Sequence, residues 1–192
     1  HKMSSDGSIT TLLTLDLPNL SLKCIHSSHI NGDLLIGLTA YPEKSRVMRC
    51  DGTGRKIRDI ELDGEGQELY RIPQYITENK MNGDILVSDE AKYALVVVDR
   101  SGRHRFDYKG HSTDKFFLPL GVCTDLLGRI LVIHTDIDDT DCISLLDHDG
   151  KFLTRLMTES VDPDDEFVFR SLCVDDKNNI YVAYDDKIKV FR

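Results

Sequence analysis

The feature that most constrains this chain is a motif that recurs at a fixed spacing. An apolar run is followed by aspartate, two further residues, glycine and a basic residue, as in VVVDRSGR at 96–103. The motif occurs three times, and its glycines, Gly54, Gly102 and Gly150, are 48 residues apart. Self-similarity at a period of about 20 to 50 residues indicates stacked copies of one structural unit.

Each unit contains short apolar segments that are separated by polar turns. The segments NGDLLIGL, NGDILVSD, LGRILVIH and NNIYVAYD align with one another, and each has a further apolar segment before it and after it. Short runs rich in Val, Ile, Leu and Tyr, divided by Gly, Asn and Asp, predict four antiparallel strands per unit, here named a to d. In the c–d turn, Gly is expected at a positive φ and Asp is expected to accept backbone N–H groups.

A four-stranded sheet with two apolar faces must be covered on both sides, so the units are expected to stack. The predicted class is therefore all-β, a β-propeller of four-stranded antiparallel blades whose a strands line a central channel. Residues 1–192 are read as one propeller domain or a fragment of one. The predicted repeats are 8–17 (a lone outer strand), 18–62, 72–110, 118–158 and 169–192. The four blade-equivalents are expected to belong to a six-bladed parent; in the alternative, the N-terminal strand completes the last blade of a closed four-bladed ring.

The third unit carries a family resemblance. Its segments PLGVCTDLLGRILVIHT and ISLLDHDGKFLTRL resemble the NHL repeat, and the chain is similar to the C-terminal propellers of tripartite-motif proteins. The Asn-His-Leu signature itself is missing, and residues 92–94 lie near its expected position. The resemblance implies a module that recognises proteins, in such a parent the substrates of a ubiquitin ligase whose RING lies upstream.

The b–c loops and the connections between units emerge on one face, named the loop face. These segments carry a stronger negative charge than the whole chain, whose net charge is −9. The charge predicts a protein partner with a basic surface and predicts that nucleic acid is repelled. The expected binding residues are acidic or exposed aromatic side chains: Tyr41, Tyr70, Phe116, Asp136, Asp138, Asp139 and Asp141. Phe117 and Phe169 have two equal interpretations: exposed aromatic residues of the loop face, or residues packed between blades.

Two alternatives stay open at this point. An RNA-binding propeller would use the basic cluster Arg100, Arg103 and Arg105 on the opposite face. A calcium-dependent, lactonase-like hydrolase would use the acidic loop at 134–142, which offers hard oxygen ligands but lacks the glycine and the distal glutamate of an EF-hand. A solvated loop is the preferred interpretation, so no metal and no cofactor are predicted.

Catalysis within this chain is predicted to be absent. The starts of the a strands carry no carboxylate and no histidine, since they hold Leu20, Ser21, Gln74, Leu120, Gly121 and Ser171. The sequence has no nucleophile elbow, phosphate-binding loop or His-Glu-x-x-His motif. His26 and His29 lie towards the far end of a strand and are assigned a turn or surface role.

The cysteines and the hydropathy of the chain predict where the protein is located. The five cysteines include no C-x-x-C pair, and no window has the roughly 18 consecutive apolar residues that cross a bilayer. These features favour a soluble cytoplasmic protein without a membrane partner. The oligomeric state stays open.

Overall fold

A computed structural model describes residues 2–3, 6–14, 19–40, 44–137, 141–159, 169–184 and 187–191. Every regular element among these residues is a β-strand, which confirms the all-β prediction. The strands are β1 (Lys2–Met3), β2 (Ile9–Thr10), β3 (Leu20–Ser27), β4 (Leu34–Ala40), β5 (Arg46–Cys50), β6 (Lys56–Ile60), β7 (Pro73–Glu78), β8 (Ile85–Asp89), β9 (Ala94–Val98), β10 (His104–Tyr108), β11 (Leu118–Thr124), β12 (Ile130–Thr135), β13 (Asp141–Leu146), β14 (Phe152–Glu159), β15 (Phe169–Val174), β16 (Ile180–Tyr184) and β17 (Lys187–Phe191).

The strands form successive antiparallel meanders, as a propeller requires. Blade 1 contains β3 to β6, blade 2 contains β7 to β10, blade 3 contains β11 to β14, and blade 4 contains β15 to β17. The a strands β3, β7, β11 and β15 contact one another in that order, so they form the inner row of a propeller-like fold. Within the described residues, this row is not closed into a ring, and Leu22 and Ile25 on β3 remain 54% and 57% exposed.

The N-terminal segment lies against blade 1. Strand β2 pairs with β1 and not with blade 4, so the alternative in which this segment completes the last blade is wrong for the described residues. The physical reason is packing. Leu13 contacts the apolar cluster on the outer face of blade 1, and the backbone of Leu12 lies directly beside Gly54 in that blade.

Stacking of the blades buries the core. Successive residues of a strand point to opposite faces, so a central blade contributes to two interfaces. In blade 2, Val96 and Val98 pack towards blade 1, whereas Leu95 and Val97 pack towards blade 3. All of β9 is buried. At roughly 1.5 to 3 kcal/mol for each fully buried Val or Leu, these interfaces are the main source of stability.

The predicted chemistry of the c–d turn is confirmed. The glycines have φ values of 87° at Gly54, 85° at Gly102 and 83° at Gly150. The carboxylate of Asp99 accepts the N–H groups of Ser101 at 2.8 Å and Arg103 at 3.0 Å. The same arrangement holds in the other two turns, so the repeated motif is explained by turn geometry.

Aspartates in two kinds of turn make stability sensitive to acid: Asp51 in the c–d turn of blade 1 and Asp175 in the a–b turn of blade 4. The hydroxyl of Thr53 lowers the pKa of Asp51 to about 2, and the side-chain amide of Asn179 lowers the pKa of Asp175 to about 2. An unfolded aspartate has a pKa of about 3.9. A depressed folded-state pKa contributes stability above the unfolded pKa, and this contribution is lost as pH falls through the folded pKa. We therefore expect the urea midpoint to fall between about pH 4 and pH 2.

The variant that checks this is Asp51→Asn combined with Asp175→Asn. It should be less stable than the wild type at neutral pH, and its midpoint should change less between about pH 4 and pH 2. Urea unfolding followed by circular dichroism at several pH values measures both quantities. Parallel curves for the two proteins would contradict the assignment.

Candidate functional site

A buried carboxylate organises part of the loop face. Asp89 ends β8, is fully buried, and accepts three backbone N–H groups: Arg71 at 2.7 Å, Ile72 at 3.1 Å and Lys92 at 3.0 Å. Arg71 and Ile72 belong to the connection that enters blade 2, and Lys92 belongs to the b–c turn of the same blade. One side chain therefore fixes two loops relative to each other.

These two loops, with Lys44 from the b–c loop of blade 1 and Lys109 after β10, form a groove of about 590 Å³, named the loop-face groove. It is lined by Lys44, Gly66, Gln67, Glu68, Arg71, Ala91, Lys92, Tyr93 and Lys109. Four of these residues are basic and one is acidic. The ammonium group of Lys92 is partly engaged, because it donates to the Leu69 carbonyl at 2.9 Å and lies 3.7 Å from the Asp107 carboxylate. The groove is therefore a basic site on a chain with net charge −9.

An exposed aromatic residue with an unusual backbone conformation borders the groove. Tyr93 has a φ of 51° and is 50% exposed. Its ring centroid lies 5.1 Å from that of Phe116, which belongs to the connection entering blade 3. A bulky residue at positive φ is strained, and such strain concentrates at functional positions. Tyr93 was not among the binding residues predicted from the sequence. The available signal was its position within residues 92–94, where the Asn-His-Leu signature is missing.

The acidic residues predicted on the loop face have structural roles where they are described. Asp136 accepts the N–H groups of Lys115 at 3.2 Å and Phe116 at 2.9 Å. Asp141 is buried and accepts the Phe169 N–H at 2.6 Å. Both carboxylates hold loops in place, as Asp89 does. Tyr41, Asp138 and Asp139 lie outside the described residues.

The expectation of an exposed side chain is wrong for Tyr70, whereas Phe117 and Phe169 follow the alternative of packing between blades. Tyr70 is 1% exposed and packs in the cluster between blades 1 and 2, so it is not available to a partner. Phe117 and Phe169 are also buried, in the two following interfaces. Each lies shortly before or at the start of an inner strand, where the chain enters the space between two blades. Of the predicted aromatics, Phe116 is half-buried.

The basic cluster on the opposite face is largely paired. Arg103 lies 2.8 Å from the Asp99 carboxylate, and Arg105 is bonded to both Asp84 and Asp149. The Arg100 carbonyl accepts a hydrogen bond from the Arg49 guanidinium. Phosphate binding at this cluster would have to compete with these carboxylates. RNA binding there stays a prediction.

A second cavity lies on the axis, at the end where the a strands finish. Its volume is about 280 Å³, and all four a strands or the turns that follow them contribute to its lining. Glu78, 2% exposed, accepts the Ser28 hydroxyl at 2.5 Å through Oε2, whereas Oε1 has no partner among the described residues. The Nε2 atom of His26 also has no hydrogen-bond partner in the described part of the chain. We name this site the axial cavity.

This cavity was not predicted from the sequence, where only His26 and His29 were noted at this end of the a strands and were assigned a turn or surface role; both line the cavity. A glutamate that ends the otherwise uncharged strand PQYITE was the available signal. Burial lowers the pKa of His26, and the charge of the neighbouring His29 acts in the same direction. Their rings are 5.7 Å apart.

The described residues show neither a metal cluster nor a membrane-spanning helix. In the described ranges, no group of three or more His, Cys, Asp or Glu side chains is arranged to hold a metal ion. The calcium interpretation thus receives no support from the described part of the acidic loop. No helix of sufficient length and apolarity to span a bilayer occurs in those ranges either.

Solved structures at low sequence identity share this fold. A protein of unknown function from Bacteroides caccae matches with a TM-score of 0.64 at 16% identity, over 94% of this chain and 61% of its own length. A streptogramin B lyase matches with a TM-score of 0.61 at 16% identity, over 92% and 56%. A virginiamycin B lyase from Staphylococcus aureus matches with a TM-score of 0.55 at 13% identity, over 98% and 75%. No family model and no curated protein matches the chain.

These matches establish the propeller fold and correct one conclusion. The chain spans about three fifths of the length of the first two proteins. The sequence predicted that this chain is not an enzyme. That prediction is corrected, because lyases share the fold of this chain. The prediction relied on the starts of the a strands, which carry no carboxylate and no histidine. Glu78 and His26 lie at the opposite ends of these strands. The finer resemblance to NHL propellers of tripartite-motif proteins has no family match.

Proposed function

We propose that this propeller is a protein-recognition module that binds an acidic peptide segment in the loop-face groove. The observation that carries the proposal is the basic groove itself, with Lys44, Arg71, Lys92 and Lys109 against Glu68 and with exposed Tyr93 at its border. Tyrosine and arginine are enriched at surfaces that bind proteins, and the lysines supply charge complementary to an acidic partner. If the chain has a tripartite-motif parent, this groove would select the substrates of the ligase.

The partner proposed here is acidic, whereas the charge of the loop face predicted a partner with a basic surface. That prediction counted every carboxylate of the loop face as available. Asp89, Asp136 and Asp141 instead accept backbone N–H groups, which fixes their orientation towards the protein. The lining of the loop-face groove itself has four basic residues and one acidic residue, so its local charge differs from that of the whole face.

A peptide fits the groove better than RNA does. A nucleic acid strand carries a charge on every nucleotide and would extend beyond four basic residues onto a chain with net charge −9. A short acidic peptide places its charge within the groove, and an apolar residue can pack on the ring of Tyr93. We therefore favour a peptide and treat RNA as an outcome of the test.

We expect the double variant Lys44→Glu and Lys109→Glu to weaken peptide binding at least about tenfold, because two exposed cations of the groove are reversed. The probe is a fluorescein-labelled peptide that alternates glutamate and phenylalanine, and fluorescence anisotropy measures its affinity. The matched control is Lys151→Glu with Lys177→Glu, which changes the net charge equally on the opposite face.

Tyr93→Gly adds a separate readout. Glycine adopts positive φ without strain, so this variant should be at least as stable as the wild type while it binds the peptide more weakly. Equal weakening by both charge-reversed pairs would contradict the groove assignment. So would tight binding of a labelled RNA oligonucleotide together with no binding of the peptide.

A further inference from the structure

The axial cavity is built from the last residues of the inner strands. Glu78, Thr124 and Val174 end β7, β11 and β15, and each pairs with the first residue of the strand that follows. All three line the cavity. A propeller that only needed a packed axis would be expected to carry apolar or neutral residues here, as blades 3 and 4 do. Blade 2 places a carboxylate there instead.

Glu78 has no role in the turn that follows it. In blade 3, the a–b turn is stabilised by Asp125, whose carboxylate accepts the N–H groups of Leu127 and Arg129. In blade 2, Asn79 performs this role: its side-chain oxygen accepts the Met81 N–H at 3.0 Å, and its amide donates to the Gly128 carbonyl at 2.9 Å. The carboxylate of Glu78 is therefore not explained by local backbone structure.

The burial of Glu78 is unfavourable for stability. A carboxylate that is 2% exposed and accepts one hydroxyl donor from the described part of the chain loses most of its hydration. Buried polar groups normally find partners, so a buried carboxylate oxygen without one needs an explanation. A ligand that supplies a positively charged hydrogen-bond donor would provide it.

The other groups of the cavity suit the same ligand. Burial lowers the pKa of His26, which favours the neutral imidazole, and the Nε2 atom of that form can accept a hydrogen bond in one tautomer. Ile76, Val122 and Leu172 provide apolar contact beside these acceptors. Lys80 also lines the cavity, but it is exposed, so water screens its charge.

We propose that the axial cavity binds a primary ammonium group that donates to Glu78 Oε1 and His26 Nε2, with its aliphatic chain against Ile76, Val122 and Leu172. A volume of about 280 Å³ limits the ligand to a short aliphatic amine or the end of a lysine side chain. This site lies at the opposite end of the channel from the loop face, so it is independent of the peptide groove.

Isothermal titration of the full chain with n-butylammonium tests the proposal. We expect saturable binding, and we expect n-butanol, which has the same shape without the charge, to bind at least about tenfold more weakly. Nα-acetyl-lysine methylamide and its Nε-acetylated form distinguish the two sources of the ammonium group. Binding of the first and not the second identifies a lysine side chain as a ligand, and binding of butylammonium alone identifies a small amine.

Glu78→Gln is the decisive variant. Glutamine keeps an acceptor for Ser28 and removes a buried charge, so the variant should fold and be at least as stable as the wild type. Its affinity for n-butylammonium should fall at least about tenfold. The matched control, Glu90→Gln, changes an exposed glutamate and should leave the affinity unchanged. The proposal is overturned if n-butylammonium does not bind the wild type, if n-butanol binds equally well, or if Glu78→Gln binds as tightly as Glu90→Gln.

Discussion

Replacing Asp89 with alanine is expected to lower the free energy of unfolding by roughly 3 to 5 kcal/mol. The carboxylate is fully buried and accepts the N–H groups of Arg71, Ile72 and Lys92. Its removal leaves these donors without their charged acceptor, and hydrogen bonds to a charged group contribute more than neutral ones. Because Arg71 and Lys92 are in different loops, the variant should also separate the two walls of the loop-face groove.

Urea unfolding followed by circular dichroism measures this loss. The matched control is Glu90→Ala, which removes the neighbouring, exposed carboxylate and should change stability by less than about 0.5 kcal/mol. Asp89→Asn should fall between the two, because it keeps one acceptor oxygen and loses the charge. A loss below about 1 kcal/mol for Asp89→Ala would show that water replaces the carboxylate, and the role of Asp89 as organiser would be wrong.

The sequence predicted the fold because the fold depends on features that repeat. The turn at Asp99 and Gly102 has the same local requirements in every unit, so its residues recur at a constant spacing. The alternation in β9 follows from contact with two neighbouring blades. Both signals are local in the chain, and neither depends on which blades lie beside the first and the last.

The sites were harder to predict because they depend on the direction of single side chains. A count of charge treats Asp136 and an exposed aspartate alike, although Asp136 is turned towards the N–H groups of the next connection. The positive φ of Tyr93 has no sequence marker, since glycine is the usual residue at such a position. Glu78 was missed for a different reason: its cavity exists only where four a strands converge.

The two candidate sites lie away from the acidic loop. The polar groups of the axial cavity and the basic groove lie on opposite ends of the channel, and neither coincides with the acidic loop predicted as the binding site. Hydrogen bonds from backbone N–H groups favour the charged form of a carboxylate, so these side chains stabilise loops and keep their negative charge. The local arrangement of charge, rather than the sum over the face, is what a bound peptide meets.

Replacing Gly150 with alanine is the second substitution with a large expected effect on stability. Gly150 has a φ of 83°, and a Cβ atom there would lie 2.3 Å from Cε2 of Phe106. Phe106 packs against the cluster between blades 2 and 3, so its ring cannot move without disturbing that interface. We expect a loss of roughly 2 to 4 kcal/mol, of which positive φ contributes about 1 kcal/mol and overpacking the rest.

Gly66→Ala separates these two contributions. Gly66 has a φ of 81° in a turn that also begins with an aspartate, Asp63, and a Cβ atom there would meet nothing within 4 Å. This variant should therefore show the backbone strain alone, about 1 kcal/mol. Thermal and urea unfolding of both variants give the difference between their losses of stability. Phe106→Leu combined with Gly150→Ala should recover part of the loss at Gly150, because the two substitutions share one contact. Equal losses at Gly66 and Gly150 would mean that the Phe106 ring moves aside freely, which would contradict tight packing at the outer edge of the interface between blades 2 and 3.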